Sequence, residues 1–195
     1  DKNKDFVFNI TENDIVLVKE VKNNIDVRDL EKLARSISDT LSSEFFTKVN
    51  VGIGTPVVGV KDLARSFKEA QTALEVGKVF DTDKNIVSYD NLGIARLIYH
   101  LPTTLCETFL KEVFKKNSIE SLDHETLFTI QKFFENSLNV SETSRKLFVH
   151  RNTLVYRLDK IKKLTGLDLR EFDHAIIFKI ALMVKKYLAA NPTKF

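Results

Sequence analysis

A single cysteine, Cys106, excludes any intrachain disulfide and any multi-cysteine metal site, which fits a reducing, cytoplasmic compartment. Three prolines and six glycines in 195 residues leave little room for long flexible linkers, so the chain should be ordered throughout. Tryptophan is absent, but fifteen phenylalanines and 43% hydrophobic residues supply apolar material for two cores, one of a medium domain and one of a small one. The longest apolar run, within 175–184, is broken by Lys179 and is too short to cross a bilayer, so no membrane segment is expected. The first ten residues, DKNKDFVFNI, lack the apolar core and small-residue cleavage site of a signal peptide. They enter directly on a strand-like run, from which a missing upstream domain is expected. Histidines 100, 124, 150 and 174 lie 24 to 26 residues apart with no paired helical spacing, so neither a metal nor a cofactor is expected.

Net positive charge is lacking too, outside one stretch. Between Ser141 and Gly166 seven Lys or Arg stand against Glu142 and Asp159, a local +5, whereas the whole chain carries +3 and its remainder is therefore −2. The basic balance belongs to this segment and is not a diffuse surface property. Its pattern is that of a helix-turn-helix: a short helix over 141–148 with small Thr143 and Ser144 for a close crossing, a join at Val149-His150-Arg151, and a second helix. In the second helix Leu154, Leu158, Ile161 and Thr165 recur at spacings of four, three and four and share one face. At about 100° per residue, Asn152, Thr153, Tyr156, Lys160 and Lys163 fall opposite, with Arg151 and Arg157 at the flanks. Asn pairs bidentately with adenine, Arg with guanine, and a Thr methyl contacts thymine, so the exposed first turn has the chemistry of a major-groove reader. A solvated amphipathic hairpin is the bland alternative.

Elsewhere the periods predict β-rich runs at 6–10 and 14–21, with Leu17 and the valines facing a core. A helix follows over 27–44, then a strand at 49–54, a helix over 60–79 and a strand at 85–89. The order β-β-α-β-α-β describes helices against an antiparallel-rich sheet. A helical segment over 91–116 breaks at Leu101-Pro102, because proline disfavours helix in the residue before it. Leu122 to Leu138 forms the next helix, Gly166 stops the basic one, and Asp168 to Glu171 resembles a capping box opening a last helix up to Leu188. That last helix also offers an apolar face to a second subunit. Gly52 to Gly59 lacks the spacing of a dinucleotide or phosphate loop and is read as a strand-end turn. Asp14, Asp81 and Asp83 are read as ordinary loop acids, and Cys106 as a buried apolar residue.

The hairpin NITENDIVLVKEV, the strand VGIG, the segment LARSFKEAQTALEVGK and the closing NIVSYDNLG resemble a degenerate diguanylate-cyclase (GGDEF-like) domain of the CdaR and PucR group of bacterial transcriptional regulators. The run LFVHRNTLVYRLDKIKKLTG resembles that group's C-terminal signature, with Ser144 where alanine is common. The resemblance implies an α+β domain over 1–90, a helical connector over 91–120 and an all-α helix-turn-helix domain over 121–195. In active cyclases the hairpin tip carries two glycines and a metal-binding acid pair. Here Glu12-Asn13-Asp14-Ile15-Val16 has neither, so no enzyme activity is expected. The implied function is sequence-specific regulation of a carbohydrate, diacid or other catabolic operon. The partners implied are double-stranded DNA, a second copy of the chain, and a small-molecule effector sensed upstream. His150 would cap the recognition helix or touch a phosphate, while Arg151, Asn152, Thr153 and Tyr156 would read bases or position the helix. Arg145, Lys146, Arg157, Lys160 and Lys163 would contact phosphates. Arg157 has a competing role, pairing with an acid of a neighbouring helix. Retained nucleotide chemistry and a protein-interaction module are the rival readings.

Overall fold

The computed structural model describes residues 5–22, 24–80, 84–114 and 122–191. Asp81, Asp83 and the end of the expected connector lie outside them. The chain forms two compact units, 1–94 and 95–195.

The first unit opens with β1 (Phe6–Asn9) and β2 (Ile15–Val18), an antiparallel hairpin in the register Phe6↔Val18 to Asn9↔Ile15. Its turn is closed by Thr11, whose hydroxyl accepts from the Asp14 amide at 3.0 Å and donates to the Asp14 carboxylate at 2.8 Å. The hairpin does not bury the face expected of it. Val7 is 65% and Leu17 42% exposed, while Val16 and Val18 are half-buried. Both of its faces are apolar, Phe6, Phe8, Val16 and Val18 on one and Val7, Ile15 and Leu17 on the other, so alternation does not select a covered side.

Next come α1 (Val27–Phe45), capped by the Asp26 carboxylate on the Arg28 amide at 2.7 Å, then β3 (Val51–Ile53), α2 (Leu63–Phe80) and β4 (Ile86–Ser88). The β3 and β4 strands pair in parallel, Val51 opposite Ile86. One antiparallel and one parallel pair therefore replace the expected antiparallel-rich sheet, and among the described residues the two pairs are not hydrogen-bonded to each other. The connection explains the difference: β1 and β2 are joined by a tight turn, whereas β3 reaches β4 through the helix α2, a crossover that brings strands in side by side and parallel. The α2 helix lies close on β3. A Cβ at Gly52 would stand 2.2 Å from the Ala70 carbonyl oxygen, and one at Gly54 only 2.0 Å from that of Ser66. Those glycines are the strand-end feature expected, and what they permit is a backbone-to-backbone approach.

The second unit comprises α3 (Ile94–Tyr99), α4 (Thr103–Phe114), α5 (His124–Glu135), α6 (Val140–Lys146), α7 (Arg151–Thr165) and α8 (Phe172–Ala190). The helical segment breaks around Leu101-Pro102 as expected. Its core joins Phe114, Leu122, Ile130, Phe133, Leu154, Leu158, Ile161, Leu169, Phe178 and Ala181. Within it α4 packs along α8, Phe114 meeting Phe178 edge to face at 5.7 Å and the Tyr187 hydroxyl donating to the Leu101 carbonyl at 3.3 Å. Glu171 stands at the head of α8 without a side-chain cap, so the expected box from Asp168 to Glu171 is not made. The Asp168 carboxylate instead accepts from the Arg170 amide at 3.1 Å, from Arg170 Nε at 2.8 Å and from Lys162 Nζ at 3.1 Å. The carboxylate is thus occupied by the Arg170 amide and by two charge-assisted donors. Among the described residues no helix is long and apolar enough to cross a membrane.

Candidate nucleic-acid interface

The α6 helix is short because its sequence starts and stops it firmly. Asn139 caps it, accepting from the Glu142 amide at 3.0 Å. At the other end Phe148 adopts φ 55°, which turns the chain so that the Val149 amide bonds the Ser144 carbonyl at 3.0 Å. The helix therefore ends at Lys146, two residues earlier than its pattern suggested, and Leu147 to His150 make the join. Thr143 and Ser144 are buried, and their hydroxyls donate back to the carbonyls of Asn139 at 2.7 Å and Ser141 at 2.9 Å. Both buried hydroxyls are therefore paired where α6 crosses α7.

His150 begins α7 in extended conformation, with Nδ1 accepting the Asn152 amide at 3.2 Å. Gly166 ends it at φ 77°, its amide on the Lys162 carbonyl at 2.8 Å. Leu154, Leu158 and Ile161 are fully buried, and Thr165 is half-buried. The opposite face is open: Arg151, Asn152, Thr153, Tyr156, Lys160 and Lys163 are all exposed, Tyr156 at 71%.

The side chains read as DNA contacts divide by their internal partners. Arg145 pairs with Glu142 at 2.6 Å, and Arg151 donates to the Ser141 hydroxyl at 3.2 Å. Arg157 is 23% exposed and is gripped by Glu125 and by the Thr129 hydroxyl, the latter at 3.2 Å. Lys160 reaches Asp123 at 3.1 Å. Asp123 also caps α5 through the Thr126 amide at 2.7 Å, and these Thr126 hydrogen bonds, with the Lys160 ammonium, hold its carboxyl down to about 2. By contrast Lys146, Asn152, Thr153, Tyr156 and Lys163 have no side-chain partner among the described residues. Sequence reasoning missed Asp123 and Glu125. They lie 37 and 32 residues from Lys160 and Arg157, a separation that no local pattern announces.

The first unit offers less chemistry. Where a phosphate loop would present free amides, the Thr55 N–H donates to the Glu69 carboxylate at 3.1 Å, and Ser66 donates to the Thr55 carbonyl at 2.8 Å. Asp14 is spent on the hairpin turn. Among the described residues no three His, Cys, Asp or Glu side chains converge as a metal-binding group. Cys106 is buried, and burial pushes its thiol up.

The family model of the PucR C-terminal helix-turn-helix domain matches residues 126–184, and that of a GGDEF-like domain matches 1–76. The chain belongs to the CdaR/PucR family. It is 28% identical over 88% of its length to the carbohydrate diacid regulator of Escherichia coli, of which the match covers 45%. With the purine catabolism regulatory protein of Bacillus subtilis it shares 26% identity over 76% of its length, 28% of that protein. With the DNA-binding transcriptional activator AdeR of Bacillus subtilis it shares 26% over 90%, 42% of that protein. The chain thus spans less than half the length of these relatives. The CdaR/PucR architecture is the one expected, a GGDEF-like α+β unit followed by an all-helical helix-turn-helix domain.

Proposed function

We propose that this CdaR/PucR-family chain is the DNA-binding part of a cytoplasmic transcriptional regulator and acts on duplex DNA as a homodimer. The observation that carries the reading is the state of α7: one face buries Leu154, Leu158 and Ile161, and the other holds Asn152, Thr153 and Tyr156 exposed with no side-chain partner among the described residues. A recognition helix needs that combination, since its base-reading groups must not be spent within the protein. Asn152 and Thr153, with Arg151 and Tyr156, read base edges from the first two turns. Lys146 and Lys163 supply phosphate contacts directly, Arg145 and Lys160 supply them by exchanging their acid partners for phosphate, and His150 sets the helix start. Arg157, held by Glu125 and Thr129, fixes α7 on α5.

A dimer suits this reading because two-fold pairing spans two half-sites, where one helix reads too few bases. The relatives' names, a carbohydrate diacid regulator and a purine catabolism regulatory protein, support a catabolic operon as the target, and the reading includes a small-molecule effector sensed outside this chain. The GGDEF-like unit carries no catalytic role in this reading. Its loop amide is bound by Glu69 and its hairpin lacks the cyclase glycines and acid pair. Selection of genomic fragments by the purified chain tests the function. Recovery of a shared inverted repeat upstream of catabolic genes is expected, and recovery of no sequence above background would count against it.

A further inference from the structure

The head of α5 presents two acids to the basic face of α7, and the two contacts differ. Arg157 is 23% exposed and bonds the buried Thr129 as well as the exposed Glu125, so that link is part of the packing of α5 on α7. Asp123 meets Lys160 at 3.1 Å with side chains 55% and 47% exposed, an open ion pair whose cation lies on the same face as Tyr156 and Lys163. An exposed pair of this kind is weak and exchanges readily with other anions. A DNA phosphate brought to Lys160 competes with the Asp123 carboxylate for the ammonium.

We propose that Asp123 is a specificity-determining counter-charge, which competes with DNA phosphate for Lys160 and so suppresses loose, sequence-independent binding. This rests on the reading of α7 as the recognition helix. In a non-specific complex the helix is not seated by base contacts, the phosphates sit at variable distance, and Lys160 keeps its internal partner. In the specific complex Asn152 and its neighbours fix the register, a phosphate is delivered at hydrogen-bonding distance, and Lys160 exchanges. Phosphate contacts carry nearly all non-specific affinity, so withholding one of them until the helix is seated widens the ratio between specific and non-specific binding. The negative charge of Asp123 is not needed for its structural role, because asparagine caps a helix about as well as aspartate.

That equivalence supplies the test. Affinity for an operator recovered by genomic selection and for an unrelated duplex is measured over a salt series for the full chain and for Asp123→Asn, Lys160→Ala and the double variant, with thermal melting as the control for folding. Asp123→Asn should bind the unrelated duplex roughly threefold to tenfold more tightly, with its salt slope steeper by about 0.9, and should narrow discrimination. In the Lys160→Ala background the Asp123→Asn gain should vanish. Unchanged affinity on Asp123→Asn overturns the proposal, as does an equal gain with and without Lys160, which would mean a general relief of negative charge. If the unaltered chain binds no duplex DNA, it is the functional reading itself that fails, and the two failures are thereby distinct.

Discussion

At Gly52 the molecule tolerates nothing larger than a hydrogen. The obstacle is the carbonyl of Ala70, 2.2 Å from where a Cβ would stand, and a helix backbone cannot swing aside as a side chain does. Gly52→Ala should therefore lower stability by about 1–3 kcal/mol, read as a fall in the urea midpoint, with the loss originating in the GGDEF-like unit. The two glycines of VGIG are visible in the sequence, but their cause is not, because residues 52 and 70 are brought together only by the fold. Arg157 teaches the same lesson. Its place on the flank of α7 follows from the helical period, yet the choice between phosphate and Glu125 depends on where α5 lies. By contrast the outward placement of Asn152, Thr153 and Tyr156 was legible, since a helix with leucines at 154 and 158 must turn those three positions outward.

Among the elements, α7 is held at its C-terminal end by a carboxylate. Asp168 lies just beyond its C-terminus and accepts from Arg170 and Lys162, while Arg170 also reaches Asp159 on α7 at 2.8 Å. The Arg170 hydrogen bonds hold the Asp168 carboxyl well below the usual carboxylate range despite its burial. A carboxyl whose folded pKa is depressed contributes stability that is fully present above its unfolded value, near 4, and is lost as pH falls through the folded value. The wild-type chain should therefore lose stability on acidification below about pH 4. Asp168→Asn should be about 1–3 kcal/mol less stable at pH 7, with a flatter decline below pH 4, as measured by melting temperature against pH. The sequence suggested a capping box here because Asp and Glu stand three apart. That spacing does not reveal that Arg170 and Lys162 compete for the same carboxylate. The helices themselves were legible from their 3.6-residue period, and α7 best of all. The β1–β2 hairpin was legible as a hairpin, but its covered side was not, because a strand pair apolar on both faces carries no signal of which side is covered.

For the molecule as a whole, charge separates the two tasks. The segment 141–166 carries +5 in a chain of +3, so electrostatic attraction to DNA is concentrated on the helix-turn-helix and the rest of the chain is mildly repelled. Part of that +5 is already neutralised by acids outside the segment, Arg157 by Glu125, Lys160 by Asp123 and Lys162 by Asp168. In the proposed reading Lys146 and Lys163, which have no side-chain partner among the described residues, bear the initial phosphate contact, and base discrimination falls to uncharged groups beside them. The most direct test measures binding to a selected operator and to single-base variants of it over a salt series, for the full chain, Asn152→Ala and Lys163→Ala. Asn152→Ala should cost about 1–3 kcal/mol on the operator and relax preference at one base position while leaving the salt slope unchanged. Lys163→Ala should weaken all sequences alike and reduce the slope by about 1. If the two variants behave the same, or neither alters binding, the division of labour on α7 is wrong.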